Sequence, residues 1–224
     1  MRVMSEKEIA ELRDRIHSMA RSAEAKSDPL AWFEDLYESS EGNVSMIPWS
    51  RGDPHQFLVE WTESNNPKGK ALVVGSGLGE DAAYLAKLGW DVTAFDISPT
   101  AIEWSSRIHD GLNIQWRVEN LLDLPQDWTG QWDLVVEVHI LQAIPEEVRY
   151  PASEKLAPLL ALDGTLISIG LFNSSGEHSE GPPWPLSETF IRSIGEGLNQ
   201  IALEVKKRQE DDTDRLRYIS VWKR

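Results

Sequence analysis

The chain has 224 residues, of which 41% are hydrophobic and 26% are charged, proportions that fit one well-filled globular domain. Its 37 acidic and 22 basic residues give a net charge of -15, which disfavours nucleic acid and anionic membrane surfaces as partners. Cysteine is absent, which excludes disulfides and thiolate metal sites, and we predict no metal site of any kind.

The first 67 residues predict helices that precede any strand. Ser5 begins a capping-box pattern, and apolar residues then recur at helical spacing as far as Ala20. Asp28-Pro29 and Asp53-Pro54 predict the starts of two further helices, because proline is tolerated at the first helical position after a capping residue. The N-terminus lacks the apolar stretch of a secretory signal and the chain has no membrane-length apolar run, so we expect a cytoplasmic protein.

Strand patterns alternate with helix patterns from Lys70 onward. Ser98 and Ser187 predict helix caps, Gly89 predicts a helix end, and Pro145 opens a helix expected to reach about Leu160. The continuous apolar runs are typical of buried parallel strands. The predicted strands are 71–75, 90–96, 113–118, 132–138, 164–171, 201–208 and 215–222.

This alternation predicts an α/β fold with a Rossmann-like, doubly wound sheet of seven strands. The last two strands are expected to form a C-terminal antiparallel hairpin, and the N-terminal helices a lid. We expect one domain, 1–224, with the helical lid in 1–67 and a cofactor-binding core in 68–224.

Three alternating glycines follow the first strand, at Gly75, Gly77 and Gly79. When the dinucleotide fingerprint G-x-G-x-x-G/A is aligned to start at Gly75, the sequence does not match it, because the sixth position is Glu80. Aligned to start at Gly77, the sequence does match, but Gly75 then has no role. Glu80 and Asp81 would oppose a pyrophosphate at the start of the next helix, whereas a sulfonium and an ammonium group would be attracted. The alternative is that both carboxylates only stabilise the start of this helix. The turn therefore favours S-adenosylmethionine over a dinucleotide.

The next two strands end in residues suited to adenosine. Asp96 can accept hydrogen bonds from both ribose hydroxyls, a requirement common to both cofactors. Asn120 can contact the adenine amino group and Leu121 can supply an apolar wall. The alternative for Asn120 is a turn residue beside core leucines.

These motifs jointly resemble the class I S-adenosylmethionine-dependent methyltransferases. FDISPTAIE at 95–103 and DLVVEVHILQAIP at 133–145 are similar to successive motifs of that superfamily, and the resemblance covers about 68–224. IPWSRGDP at 47–54 resembles, more loosely, a Trp-containing segment that folds over the cofactor in the thiopurine and halide/thiol methyltransferase branch. The resemblance implies S-adenosylmethionine as cofactor, with Trp49 lying against it. Asn120 departs from the branch, where an acidic residue is frequent.

The end of the fourth strand is where we expect the acceptor to react. His139 is the candidate general base because imidazole titrates near neutral pH, although a lone histidine in an apolar run often simply packs. Glu137 could face the ammonium group of the cofactor or a backbone donor. Arg51, His55 and Trp184 are candidates for substrate contacts, with surface or connector roles as the alternative. The residues assigned to the cofactor are Trp49, Gly75, Ser76, Gly77, Gly79, Asp81, Asp96, Ile97, Asn120, Leu121, Glu137 and Val138.

We therefore expect methyl transfer from S-adenosylmethionine to a small-molecule nucleophile: a thiol, an amine, a halide or a hydroxyl. In-line displacement at an activated methyl group mainly needs positioning, so no catalytic triad is expected. The alternatives are an NAD(P)-dependent reductase and a non-catalytic protein that binds S-adenosylmethionine.

Overall fold

The computed structural model describes residues 6–65, 68–177, 180–207 and 215–224. Ser5 of the predicted capping box and Arg208 at the predicted end of the sixth strand lie outside these residues. The helices are α1 (Glu6–Ala25), α2 (Trp32–Ser39), α3 (Gln56–Ser64), α4 (Glu80–Lys87), α5 (Pro99–Ile108), α6 (Glu146–Glu154), α7 (Leu156–Leu159) and α8 (Glu188–Ile194). The strands are β1 (Lys70–Val74), β2 (Asp91–Asp96), β3 (Ile114–Val118), β4 (Trp132–Val138), β5 (Leu160–Leu171), β6 (Asn199–Lys206) and β7 (Arg217–Lys223).

The strands form one seven-stranded sheet in the order β3-β2-β1-β4-β5-β7-β6. Strands β1 to β5 pair in parallel, and β7 pairs antiparallel with both β5 and β6. The predicted doubly wound sheet and its closing antiparallel hairpin are thereby confirmed. The strand order reverses between β1 and β4, and in such sheets ligands bind at the carboxyl edge beside that reversal.

Successive side chains of a strand point to opposite faces of the sheet. Both faces of this sheet are apolar, and helices cover both of them. On β1, Leu72 and Val74 join the core cluster that contains residues of α6, α7 and α8. Ala71 and Val73 join the opposite cluster, with residues of α3 and α4. The first four residues after Lys70 are all buried, which is why this strand reads as a continuous apolar run.

The N-terminal helices form a third cluster that reaches the turn after β1. Leu12 and Ile16 of α1 pack with Leu36 of α2, with Leu78 of the turn and with Trp104 of α5. The carboxylate of Glu34 on α2 accepts hydrogen bonds from the Ser98 hydroxyl and, at 2.6 Å, from the Thr100 hydroxyl. The segment predicted as a lid is therefore bound to the start of α5 as well as to the turn.

Two of the predicted helix starts are wrong. The second helix begins at Trp32 and not at Pro29, because Asp28 to Ala31 forms a turn in which the Ala31 N–H donates to the Asp28 carbonyl at 3.2 Å. The third begins at Gln56, and its cap is the imidazole of His55, whose Nδ1 accepts from the Phe57 N–H at 3.2 Å. In both places the Asp-Pro pair lies in the loop before the helix.

The predicted helix from Pro145 to about Leu160 is also wrong in part, since it is divided at Lys155 into α6 and α7, and β5 begins at Leu160. The predicted caps are confirmed, because the Ser98 and Ser187 hydroxyls accept from backbone N–H groups three residues later. No helix within the described ranges is long and apolar enough to cross a membrane.

Candidate active site

The glycine-rich turn has a backbone that favours glycine at all three positions. Gly75, Gly77 and Gly79 have φ angles of 58°, 54° and 85°, in the left-handed region that other residues rarely adopt. The Gly77 N–H donates to Oδ2 of Asp96 at 2.9 Å, and the Ser76 N–H donates to the Phe95 carbonyl at 2.8 Å. The turn is therefore fixed to the carboxyl end of β2.

We expect Gly79→Ala to destabilise the fold by about 2 to 5 kcal/mol, the sum of left-handed strain and overpacking. A Cβ at Gly79 would lie 2.4 Å from Cη2 of Trp116, whereas nothing lies within 4 Å of one at Gly111, whose φ is 89°. Gly111→Ala is the control, because it adds the strain without the collision. Urea unfolding of both variants should show a clearly larger loss for Gly79→Ala, and equal losses would contradict the proposed contact with Trp116.

Asp96 is buried at the end of β2, where both of its carboxylate oxygens accept backbone hydrogen bonds. Oδ1 accepts from the Ser98 N–H at 3.0 Å, opposite the bond from Gly77 to Oδ2. Burial raises the pKa of Asp96, the backbone N–H groups of Ser98, Gly77 and Ile97 oppose the rise, and the charge of Glu34 adds to it. Each carboxylate oxygen keeps further acceptor capacity beyond these bonds.

A largely apolar cavity lies at the carboxyl edge of the sheet, beside the reversal of strand order. Of the predicted cofactor residues, it brings together Gly75, Asp96, Ile97, Asn120 and Leu121. The Asn120 side chain also adopts the turn role given as its alternative, because its Oδ1 accepts from the Leu122 N–H at 2.9 Å. Its amide nitrogen is the part of the side chain that this turn does not use.

Several residues that line this cavity were not predicted from the sequence. They come from the chain before and within α2, from the end of β3 and from the segment after β4: Leu30, Phe33, Glu119, Ile140, Ile144 and Val148. The available signal for Ile140 was that it is an apolar residue close to the end of β4. Leu30 and Phe33 carried no such signal, because their place over the cavity depends on how the lid packs.

Trp49 lies beside the glycine turn, within a group of aromatic rings from the lid. Its Nε1 donates to the Tyr37 hydroxyl at 2.8 Å, and its ring packs edge-on against Trp32, Phe33 and Tyr37. A Cβ at Gly77 would lie 3.0 Å from the Tyr37 hydroxyl and 3.5 Å from Nε1 of Trp49. The missing side chain at Gly77 is therefore what allows the lid to contact the turn.

Two carboxylates on the first turn of α4 bind the lid. Glu80 accepts from the Ser50 hydroxyl and, at 3.2 Å, from the Gly52 N–H. Asp81 accepts from the His55 N–H at 2.7 Å. These bonds fasten residues 50–55 to α4, a role that the electrostatic argument from the sequence did not include.

Glu137 is buried within the sheet. The sequence predicted that it faces either the ammonium group of the cofactor or a backbone donor, and in the structure it accepts from backbone N–H groups. Its Oε1 accepts from the N–H groups of Ile140 and Leu141 at 2.7 and 3.1 Å, and its Oε2 accepts from the Ser168 hydroxyl at 2.5 Å. Burial raises the pKa of Glu137 to about 7, although these donors act to lower it. Val138, the next residue, packs against the core cluster on the α3 and α4 face.

Of the candidates for catalysis and substrate contact, the structure brings His55 and His139 together. Their ring centroids are 5.2 Å apart and their planes make an angle of 75°. Arg51 lies on the surface. The backbone N–H of Trp184 donates to the Gln142 carbonyl at 2.7 Å, and its ring is 5.7 Å from the Arg149 guanidinium carbon. Within the described ranges, no group of three or more His, Asp or Glu side chains is placed to hold a metal ion.

Comparison with known proteins identifies relatives in sequence and, separately, solved structures of similar fold. Probable thiol methyltransferase 2 of Arabidopsis thaliana is 30% identical over 150 residues, and thiocyanate methyltransferase 1 of Brassica oleracea is 28% identical over 162 residues. Each match covers 66% of this chain and 66% of the relative, so the chain spans just under two thirds of the length of each of these relatives. Magnesium protoporphyrin IX methyltransferase of Synechocystis PCC 6803, solved with bound SAH, shares the fold with a TM-score of 0.65. It is 18% identical, and the match covers 86% of this chain and 98% of that one.

These matches confirm the resemblance drawn from the sequence and do not favour an NAD(P)-dependent reductase. A family model described as thiopurine S-methyltransferase matches residues 41–219, which include residues 47–54 of the lid, the glycine turn and six of the seven strands in full. The chain therefore belongs to the thiopurine S-methyltransferase family.

Proposed function

We propose that this protein transfers the methyl group of S-adenosylmethionine to a small-molecule nucleophile, with sulfur as the preferred attacking atom. The observation that carries the proposal is the glycine turn bonded to Asp96 at the edge of an apolar cavity. The relatives are named as thiol and thiocyanate methyltransferases, which supports sulfur as the acceptor atom.

The residues at the cavity fit the proposed cofactor. Asp96 retains acceptor capacity for the ribose hydroxyls, Leu121 supplies an apolar wall, and Asn120 offers a polar group at the adenine end. The left-handed glycines let the backbone approach the ligand closely. We assign Trp49, Gly75, Ser76, Gly77, Gly79, Ile97 and Val138 to the same site, with Asp81 and Glu137 shaping it through the lid and the loop after β4.

When bound, the cofactor supplies a methyl group already activated on a sulfonium. The protein then has to hold the attacking atom and the methyl carbon in line, about 3 to 3.5 Å apart, and to exclude water. The lid supports this role because Trp49 and Tyr37 pack directly on the turn. A cytoplasmic location and a substrate other than nucleic acid complete the proposal, supported by the absence of cysteine and the net charge of -15.

The test is calorimetric binding of S-adenosylhomocysteine and of NADH, followed by a methylation screen with a thiol, thiocyanate and iodide. We expect the protein to bind S-adenosylhomocysteine and not NADH, and to form a methylated product from at least one sulfur nucleophile. Binding of NADH with no response to S-adenosylhomocysteine would establish the reductase instead. Tight binding of the nucleoside with no product from any nucleophile would establish a non-catalytic binding protein.

A further inference from the structure

Two histidines from distant parts of the chain meet beside the glycine turn, and no step of the proposed function yet uses them. His139 follows β4 and is half-buried, and His55 in the lid is buried; their rings pack edge to face with centroids 5.2 Å apart. We propose that His139 is a catalytic base that deprotonates the acceptor and that His55 positions its ring. The acceptor class is then a protonated thiol and not a preformed anion. This inference rests on the proposed function.

The backbone fixes His139 at the carboxyl edge of the sheet. Its N–H donates to the Ile169 carbonyl at 2.8 Å, and its φ of 68° is in the left-handed region. Such a conformation is strained in a residue other than glycine and is concentrated at functional sites. The next residue, Ile140, lines the cavity, and a Cβ at Gly75 would lie 2.3 Å from its Cδ1. His139 is therefore adjacent in sequence to a residue that touches the glycine turn.

His55 is held on three sides, which suits a positioning role. Its Nδ1 accepts from the Phe57 N–H at 3.2 Å, so this nitrogen carries no proton when it caps α3. Its own N–H donates to Asp81 at 2.7 Å. The Phe57 ring packs edge to face against the imidazole, with centroids 5.1 Å apart. The His55 ring is thus a fixed surface against which the His139 ring rests.

The charged groups around the pair come from three elements. Asp81 on α4 lies at the His55 backbone, and Glu137 lies two residues before His139 on β4. Lys206 on β6 stacks its ammonium group 4.6 Å from the centre of the Phe57 ring, on which His55 packs. Lys206 is itself paired with Glu60, at 2.6 Å. Of these groups, Asp81 contacts the pair directly, at the His55 backbone, and Lys206 contacts the Phe57 ring beside it.

The proposed step is a proton transfer coupled to methyl transfer. The thiol proton passes to a ring nitrogen of His139, and a sulfur lone pair forms the new bond to the methyl carbon. The bond from that carbon to the sulfonium breaks, and its electron pair stays on the sulfur of S-adenosylhomocysteine. The imidazolium then loses its proton to solvent. A thiol with a pKa of about 8.5 is only a few per cent thiolate at neutral pH, whereas thiocyanate and iodide have no proton to lose.

The test compares His139→Asn and His55→Asn with the wild-type protein, each with a small thiol and with iodide as acceptors. Asparagine suits both positions, because it tolerates left-handed backbone at 139 and is a preferred helix cap at 55. Each variant therefore removes an imidazole while keeping the local backbone. His17→Asn is the control, since this ring on α1 contacts the Pro182 carbonyl at 3.0 Å and not the histidine pair.

We expect His139→Asn to lower kcat with the thiol at pH 7 by up to about 30-fold, because only about 3% of a thiol with a pKa of about 8.5 is ionised there, and to leave kcat with iodide within a few-fold. Its rate with the thiol should rise about tenfold per pH unit below the thiol pKa, because only the preformed thiolate then reacts. His55→Asn should show a smaller loss, about tenfold, again confined to the thiol. The affinity for S-adenosylhomocysteine should be unchanged in both variants.

Equal losses with the thiol and with iodide would mean that the imidazoles serve the fold or the cofactor, and would overturn the inference. Unchanged rates with both acceptors would overturn it as well. Should the wild-type protein methylate neither of these acceptors nor thiocyanate, the proposed function itself would fail, and this inference with it. Wild-type activity with iodide alone would uphold methyl transfer to a small nucleophile and refute the assignment of a protonated thiol as acceptor.

Discussion

Replacing Asp96 by alanine is expected to weaken binding of S-adenosylhomocysteine by roughly 1.5 to 3 kcal/mol for each ribose hydrogen bond lost. That corresponds to about one to two orders of magnitude in Kd per bond. The effect is large because the carboxylate is buried at the cavity, where a charged acceptor is not screened by water. Isothermal titration calorimetry of the variant against the wild-type protein measures it directly.

The same substitution also removes the acceptor for two backbone donors, so binding and folding have to be separated. The N–H groups of Gly77 and Ser98 both donate to Asp96, and the variant should lose some unfolding free energy for this reason. Asp91→Ala is the matched control, because Asp91 is exposed at the opposite end of β2 and carries the same charge. Unchanged affinity in a folded Asp96→Ala protein would refute the assignment of Asp96 to the ribose.

The parts of the fold that were predicted correctly depend on residues that are neighbours in sequence. The buried strands appear as continuous apolar runs, and Ser98 and Ser187 cap helices through bonds to residues three positions later. The helix starts predicted at the two Asp-Pro pairs were wrong because proline fits a turn before a helix as well as the first helical position. At the third helix an imidazole caps instead, and His55 is not among the residues usually expected there.

The site was less predictable because its groups meet through tertiary packing. The charges of Glu80 and Asp81 were used to predict which cofactor binds at the turn. In the structure their hydrogen-bond partners are Ser50, Gly52 and His55 of the lid, 26 to 30 positions earlier in the chain. Local electrostatics could show that cationic or hydrogen-donating groups are favoured at this turn. It could not show that the chain itself supplies them.

We expect Glu137→Gln to stabilise the fold above neutral pH and to abolish one component of its pH dependence. Glu137 is buried on β4, and its pKa is raised from the usual 4.5 to about 7, chiefly because burial disfavours the charged carboxylate. Glutamine mimics the protonated acid: its oxygen can accept from the N–H groups of Ile140 and Leu141, and its amide can donate to the Ser168 hydroxyl. Ser168 can then donate to the Tyr218 hydroxyl, which lies 2.8 Å away.

The sign of the pH effect follows from proton binding. Between pH 4.5 and about 7 the folded protein holds a proton on Glu137 that the unfolded chain releases, so the unfolding free energy falls as the pH rises through this window. The loss levels off above about pH 7 and amounts to about 3 kcal/mol, because each tenfold difference in proton affinity between the two states contributes about 1.4 kcal/mol. The glutamine variant has no proton to lose and should not show this decline.

Urea unfolding of Glu137→Gln and of the wild-type protein across this range tests the prediction. The two proteins should have similar stability near pH 4.5, and the variant should be more stable by up to about 3 kcal/mol near pH 8. Glu103→Gln is the control, because its exposed pair with Arg107 on α5 should contribute little. A variant that is less stable than the wild-type protein near pH 8 would show that the bonds from Ile140, Leu141 and Ser168 hold the carboxylate strongly enough to outweigh its burial.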